Sequence, residues 1–500
     1  MLRFDNLPFI VLLIGMGAVA MYVPAIYAYL TDDLETARGF LYSGLLFSFV
    51  FVMIALATEH MRIRRQGRSH LISMFSCLTL LPVMLAFPMA EAVTDTRFYN
   101  VYFEMVSSLT TTGFTLFEPD RLPPAVHLWR GIVGWLGGYF IWVTALAILA
   151  PMNLGGFEIS SQAEIGQGAR QIVNVANPAQ RLQRYAVRFL PIYGGLTCAL
   201  WLALFVAGDT PLVALVHAMS TMSTSSISPI GGLENAASGQ VGELVIFLFF
   251  VFALSRITFL ADERPRGMRD LVQDPELRIG LLITVCLAVL LFLRHWLVSF
   301  EEEVSLQEGI RGLWGALFTV ASFLTTTGFV SDQWEAARAW SGFGAPGVLL
   351  LGLAVLGGGV ATTAGGVKLL RIYSLAQHGM REMEKLVQPS SIGSAGQQGR
   401  HFRRQGAFSA WVFFMLFAVS VALVMLALSL AGGQSFEDTM ILTIAALSTT
   451  GPLISVAAEA PLDLPALNDA ARAILCAAMV LGRLEALAII ALLNPEFWRS

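Results

Sequence analysis

Four short stretches of this 500-residue chain are built from the same residue types. They are Thr110-Thr111-Thr112-Gly113-Phe114-Thr115, Ser223-Thr224-Ser225-Ser226-Ile227-Ser228, Thr325-Thr326-Thr327-Gly328-Phe329-Val330 and Ser448-Thr449-Thr450-Gly451-Pro452-Leu453. Small hydroxyl side chains followed by glycine suit one kind of chemistry. A dehydrated monovalent cation needs about as many oxygen dipoles as its hydration shell supplied, without a full counter-charge that would trap it. Backbone carbonyls and Thr hydroxyls meet that need, and glycine takes positive φ at no steric cost, so successive carbonyls can face one axis. A single copy reads as an ordinary turn. Four copies, spaced by roughly a hundred residues or a little more, read as a cation filter. The candidate ligands are Thr111, Thr112, Gly113, Thr224, Ser225, Ser226, Thr326, Thr327, Gly328, Thr449, Thr450 and Gly451. In the second copy Ser226 stands where the other three carry glycine.

Such segments need a surround. Each follows a half-length amphipathic stretch, near 99–109, 211–222, 310–324 and 436–447. At 1.5 Å rise per residue, stretches of about 12 to 15 residues cannot cross a hydrocarbon core. They must enter and turn back, which is tolerated at membrane depth only where protein or a water-filled cavity encloses them. Each would turn a partial dipole toward that cavity. The enclosing elements are apolar runs near 8–30, 39–58, 71–91, 129–151, 187–207, 241–261, 279–298, 345–376, 407–431 and 470–493. The first run has the look of a secretory signal, but its length and the hydrophobic segment after it favour a retained helix.

The expected fold is therefore an all-α integral membrane protein of about ten transmembrane helices. Two leading helices occupy 1–60, and four pseudo-symmetric helix–pore-loop–helix repeats occupy 61–152, 153–265, 266–388 and 389–500 around a central pore. Composition agrees, because 56% apolar and 13% charged residues leave too little polar surface to cover a soluble fold. The only linker-like stretch, about 389–406, separates the third repeat from the fourth.

Charge fixes orientation, since cytoplasmic loops gather Lys and Arg near helix ends. Arg62, Arg64, Arg65 and Arg68 crowd one loop; Arg170, Arg181, Arg184 and Arg188 another; Arg264, Arg266, Arg269 and Arg278 a third; Arg381, Lys385, Arg400, Arg403 and Arg404 a fourth. The alternate loops carry Asp32, Asp33 and Glu35, then Glu301, Glu302, Glu303 and Glu308, then Glu437, Asp438, Glu459 and Asp463. Both termini are expected in the cytoplasm. Cys77, Cys198, Cys286 and Cys476 each lie within an apolar run and read as small core residues. No zinc spacing, nucleotide-binding glycine loop or nucleophile elbow occurs, so neither an enzyme nor a nucleic-acid binder is expected. A secondary transporter of two inverted halves would show paired interruptions, whereas here the repeat is fourfold.

Two features break the pattern. Gly357, Gly358, Gly359, Gly365 and Gly366 fall inside an expected span, where each costs about 1 kcal/mol relative to Ala in a continuous helix. Either the helix breaks there, or small residues allow close helix packing. Arg483 lies about eleven residues before Asn494, roughly 16 Å deep, where a charge must face a wet cavity or a partner, or else snorkel to the interface. Glu485 is on another face of that helix. His217 and Glu104, within the half-length stretches, are expected to brace the candidate filter by hydrogen bonds.

On these motifs the chain resembles the Trk/Ktr/HKT superfamily of cation transporters, and within it the bacterial TrkH-like potassium uptake subunits. The resemblance rests on the four filter segments, on Gly357-Gly358-Gly359-Val360-Ala361-Thr362-Thr363-Ala364-Gly365-Gly366-Val367-Lys368, and on Gly482-Arg483-Leu484-Glu485 with Pro495-Glu496-Phe497-Trp498-Arg499. It implies K⁺ as the transported ion, a homodimer with one pore per protomer, the inner membrane of a bacterium, and a cytosolic nucleotide-binding regulatory subunit. It also implies that 357–366, with Lys368, forms an intramembrane gate below the filter and that Arg483 sits in the pore beside it. Ser226 departs from the family pattern. In plant relatives a filter serine accompanies Na⁺ transport, though in the first repeat, so Na⁺ or weakly selective transport is the alternative expectation.

Overall fold

The computed structural model describes residues 9–58, 66–149, 178–255, 274–298, 306–342, 346–388, 404–458 and 460–484. All regular structure among them is helical. Most of the expected basic clusters, the linker at 389–403, Glu301 to Glu303, Glu485 and the terminal motif 495–499 lie outside the described residues.

Ile10–Leu30 and Leu34–Thr58 form the leading pair. Leu34–Thr58 turns Leu45, Leu46, Phe49 and Met53 outward and buries Gly39, Phe40, Ser43 and Gly44. In lipid this is the expected inversion: large apolar side chains meet the acyl chains and small residues let helices approach.

Four units follow, each with a first helix, a half-helix and a second helix. The first helices are Gln66–Ala92, Pro178–Val206, Pro275–Val298 and Arg404–Ala431, and the half-helices are Phe98–Leu109, Pro211–Ser223, Leu306–Leu324 and Phe436–Leu447. The third half-helix is longer than its expected range of 310–324. Its added first turn carries exposed Gln307 and Glu308, so the extension is polar rather than membrane-spanning.

Seven described helices are long and apolar enough to cross a membrane, or eight if Trp334–Ser341 and Pro346–Leu356 form one bent span. That is fewer than the ten apolar runs. The shortfall lies in the second helices of repeats 2, 3 and 4, described as Gly239–Phe249 with Val251–Leu254, as Pro346–Leu356, and as Asp469–Leu484. Apolar sequence continued past the point where the helix breaks or its description ends. Position relative to the axis is also graded. Only 17% of the most apolar window of Ala407–Ala431 is buried, against 83% for Pro124–Leu149, so the first helix of repeat 4 faces outward and the second helix of repeat 1 lines the core.

Two second helices meet their half-helices through glycine. A Cβ at Gly137 would collide with the carbonyl of Leu109, and one at Gly482 with the carbonyl of Leu447. Leu109 and Leu447 are the last residues of the first and fourth half-helices, so the two glycines let equivalent helices close on equivalent ends.

Candidate functional site

All four half-helices end in the same turn. The second residue of each segment is left-handed, with φ of 55° at Thr111, 53° at Thr224, 55° at Thr326 and 53° at Thr449. The third donates its N–H back five residues: Thr112 to Ser107 at 2.9 Å, Ser225 to Ser220 at 3.0 Å, Thr327 to Ser322 at 2.9 Å and Thr450 to Ala445 at 2.8 Å. This is a Schellman closure, whose left-handed position is ordinarily filled by glycine. A residue with a Cβ pays about 1–2 kcal/mol there. Four buried threonines bear that cost at one position, and strain of this kind gathers at sites where the strained residue has a task. The sequence expectation gave positive φ to the glycines alone and missed these threonines.

The hydroxyls sort themselves by position. First and third residues pair: Thr110 Oγ1 with Thr112 Oγ1 at 2.8 Å, Ser223 Oγ with Ser225 Oγ at 3.0 Å, Thr325 Oγ1 with Thr327 Oγ1 at 2.9 Å, and Ser448 Oγ with Thr450 Oγ1 at 3.3 Å. Those side chains hold the turn. The second-position hydroxyls remain, and those of Thr111 and Thr449 are buried without a hydrogen-bond partner. A buried hydroxyl left unsatisfied costs about 1–3 kcal/mol, which a ligand at that point would recover.

At the fourth position the copies diverge. Gly113 and Gly328 take φ of 81° and 77°, and Ser226 keeps the left-handed form at 56°. Ser226 therefore bears the strain and stays in line. Gly451 departs instead: it has no positive φ, its N–H donates to the Thr112 carbonyl at 2.6 Å, and Pro452 with φ −61° leads at once into the helical turn Leu453–Val456. The expectation that Gly451 matches the other glycines is corrected. Pro452, whose fixed φ and missing N–H suit the first turn of a helix, fits this start, whereas the other copies stay extended.

The four segments form a closed ring. Thr112 of the first copy meets Gly451 of the fourth. The Ser225 carbonyl of the second lies where a Cβ of Gly113 would sit. The Thr327 carbonyl of the third accepts the Ser226 hydroxyl of the second. Pro452 of the fourth lies 3.0 Å from the Cβ position of Gly328 of the third.

Side chains behind the ring brace it. Six residues before each segment stand Glu104, His217, Thr319 and Leu442. Glu104 is fully buried, pairs with Arg130 at 2.6 Å and accepts the Leu116 N–H at 3.1 Å. His217 Nε2 bonds Ser228 Oγ at 2.9 Å, and Thr319 Oγ1 accepts the Ser331 N–H at 3.3 Å. Each holds the strand that leaves its own segment, as expected of Glu104 and His217. Thr319 was missed, although aligning the repeats would have found it. Glu243 was missed as well. It lies in repeat 2 but accepts from Trp314 Nε1 at 2.7 Å, Ser331 Oγ at 2.8 Å and the Asp332 N–H at 2.6 Å, all in repeat 3.

The glycine-rich stretch is not helical. Pro346–Leu356 stops at Gly357, φ 72°, and Leu369–Val387 starts after Lys368, φ 84°. The loop closes at its neck, where Val367 N–H reaches the Val355 carbonyl at 2.9 Å and Lys368 N–H the Leu356 carbonyl at 3.0 Å. The Lys368 ammonium folds back onto the Ala364 carbonyl. Its tip presses on the ring: Gly365 N–H donates to Thr326 Oγ1 at 2.6 Å, and Thr224 Oγ1 donates to the Thr363 carbonyl at 2.9 Å. A Cβ at Gly365 would collide with the Ser448 carbonyl. The glycines thus serve both expected purposes, breaking the helix and packing closely: Gly365 packs against the ring, and Gly358 and Gly359 against the carbonyls of Ala253 and Leu254 in the helix Val251–Leu254. Arg483, 5% exposed, donates from Nη1 to the Thr363 carbonyl at 2.7 Å and so meets the loop instead of the interface. Two of the four second-position hydroxyls are engaged by the loop and two are unpartnered. Among the described residues no three His, Cys, Asp or Glu side chains converge as a metal site, so the oxygens at the ring are carbonyls and hydroxyls.

Comparison with known proteins agrees with this geometry. The TrkH cation transport protein family matches residues 244–499. The Trk system potassium uptake protein TrkH of Halomonas elongata is 31% identical over 491 residues, covering 97% of this chain and 90% of its own length. The protein of the same name from Escherichia coli is 31% identical over 406 residues, 80% of each chain. The crystal structure of the potassium transporter TrkH from Vibrio parahaemolyticus superposes with a TM-score of 0.82 at 27% identity, covering 100% of both chains. An all-helical membrane fold with four copies of one turn around a ring, matched over nearly its whole length by such relatives, belongs to the TrkH family of cation transport proteins.

Proposed function

We propose that this chain carries K⁺ into a bacterial cell across the inner membrane, through a filter made by Thr111 to Gly113, Thr224 to Ser226, Thr326 to Gly328 and Thr449 to Gly451. The observation that carries the reading is the fourfold left-handed threonine turn, with the Thr111 and Thr449 hydroxyls buried and unpartnered. Carbonyls and hydroxyls on such a ring can replace the hydration shell of a monovalent cation without trapping it. Relatives named as potassium uptake proteins favour K⁺ as the cargo and a transporter rather than an enzyme.

Residues 357–366 and Lys368 act as the gate in this reading, because the tip of the loop occupies the inner hydroxyls that an ion would use. Arg483 supports the closed loop through Thr363 and places a positive charge beside the pathway. The unit is a homodimer with both termini cytoplasmic, its repeats bounded as 61–152, 153–265, 266–388 and 389–500. A cytosolic nucleotide-binding subunit controls the loop. A second reading, weak K⁺ over Na⁺ selection, is favoured by one contact: the Ser226 hydroxyl claims the Thr327 carbonyl, a candidate ion ligand. Expression with the regulatory partner in a host lacking its own K⁺ uptake should restore growth at low external K⁺. No rescue by protein shown to be in the membrane would count against K⁺ uptake.

A further inference from the structure

The tip of the 357–368 loop touches the ring, but its near end is held by a polar cluster that no filter chemistry requires. Glu276, 2% exposed and in the first turn of Pro275–Val298, accepts the Val360 N–H on Oε1 at 2.8 Å. Asp274 Oδ1 accepts the Glu276 N–H at 3.1 Å, and Asp274 Oδ2 accepts the Ser255 hydroxyl. Ser255 and Asp274 are buried as well, at 0% and 4% exposure. Beside them the Gly359 N–H donates to the Ala253 carbonyl at 3.0 Å, and the Leu369 N–H to the Gly358 carbonyl at 3.0 Å. Four pieces of chain therefore meet here: the end of the second helix of repeat 2, the start of the first helix of repeat 3, the near end of the loop, and the helix that follows it.

A buried carboxyl group is costly unless its oxygens are used. Hydrogen bonds to a charged acceptor are among the stronger ones, and removing the acceptor strands a buried N–H. Glu276 spends an oxygen on one loop amide, and Asp274 with Ser255 fixes the backbone that carries it. The tip is held separately, by the Gly365 N–H donating to Thr326, by the Thr224 hydroxyl and by the Arg483 guanidinium.

We propose that Glu276, oriented by Asp274 and Ser255, is the positioning residue that tethers the near end of the gate loop, so that the loop pivots about 358–360 while its tip leaves the ring. The proposal rests on the reading of 357–368 as the gate. It makes the junction of repeats 2 and 3 the place from which a regulatory partner can move the loop, because shifting Asp274 or Ser255 shifts Glu276 and with it Val360.

The test uses the full-length protein in phosphatidylethanolamine–phosphatidylglycerol vesicles, with ⁸⁶Rb⁺ uptake measured with and without the regulatory partner. Glu276→Ala should raise partner-free flux by about tenfold, the scale of one lost hydrogen bond that leaves a buried N–H unpartnered. It should leave the K⁺/Na⁺ ratio unchanged, whereas Glu276→Gln, which keeps an acceptor oxygen, should stay near wild type. A general structural defect would not be rescued by Gln and would disturb the ratio. Hydrogen exchange of the peptide containing Val360 gives a readout that does not depend on transport, and it should quicken in Glu276→Ala and in Asp274→Asn. Unchanged exchange and unchanged partner-free flux in Glu276→Ala overturn the tether. Absence of ⁸⁶Rb⁺ uptake by the wild type with its partner overturns the transport reading instead, and the exchange data still decide the tether.

Discussion

The ring and the loop beneath it are both non-helical backbone enclosed by helices, yet they are wired differently. Each ring segment holds its own turn. Its Schellman N–H returns to its own half-helix, its first and third hydroxyls bond each other, and Glu104, His217 and Thr319 each bond within their own repeat. The loop closes on itself at its neck and is also held from outside, by Glu276, Ala253, Thr326, Thr224 and Arg483, each in another segment of chain. A self-contained turn keeps its shape when its surroundings move. A segment held by its neighbours has the shape they allow, which is what a two-state element biased from elsewhere needs.

Breaking the loop should give the largest effect. Deleting 361–364 removes the tip and should raise partner-free cation flux by an order of magnitude or more, within the range of about 5–150-fold typical of coupling between sites. Vesicle isotope flux measures it, and wild-type flux in an assembled mutant would leave close packing as the sole role of the glycines. Next, Thr449→Gly removes a strained Cβ together with an unpartnered hydroxyl. Thermal unfolding should show a gain of about 1 kcal/mol from the relieved φ, while K⁺ flux falls several-fold. A loss of both stability and flux would mean that the threonine is there for packing.

Arg483 should give a smaller change. Arg483→Ala loses the bond to the Thr363 carbonyl and the charge, so conductance should rise; Arg483→Lys keeps the charge and should change it less. Equal flux in both would place the side chain outside the pathway. The smallest effect is expected at Ser226. Ser226→Gly returns the Thr327 carbonyl to the ion and should raise the K⁺/Na⁺ permeability ratio from reversal potentials, with total flux little altered. An unchanged ratio would make the serine a neutral replacement.

Much of this was legible in sequence. The four segments, the half-helices before them and the break at Gly357 follow from residue types and span lengths, because lipid leaves so few backbone solutions. Glu104 and His217 were recognisable as polar residues in apolar half-helices. What sequence hid was relational. That Thr111, Thr224, Thr326 and Thr449 would be left-handed is not a threonine propensity; the closure of the half-helix imposes it. That Gly451 and not Ser226 breaks the backbone pattern depends on Pro452 beside it and on the Thr112 carbonyl of a distant repeat. Glu243 and Glu276 act on segments about 90 residues away, which no local spacing announces.

The central claim, that the ring selects and passes K⁺, is tested most directly by paired isotope flux. Purified protein with its regulatory partner, in sealed vesicles, should take up ⁴²K⁺ down its gradient faster than ²²Na⁺, and the Thr111→Ala/Thr449→Ala double variant should lose K⁺ flux and narrow the ratio. Equal K⁺ and Na⁺ flux in the wild type, or a ratio untouched by removing both unpartnered hydroxyls, would contradict it.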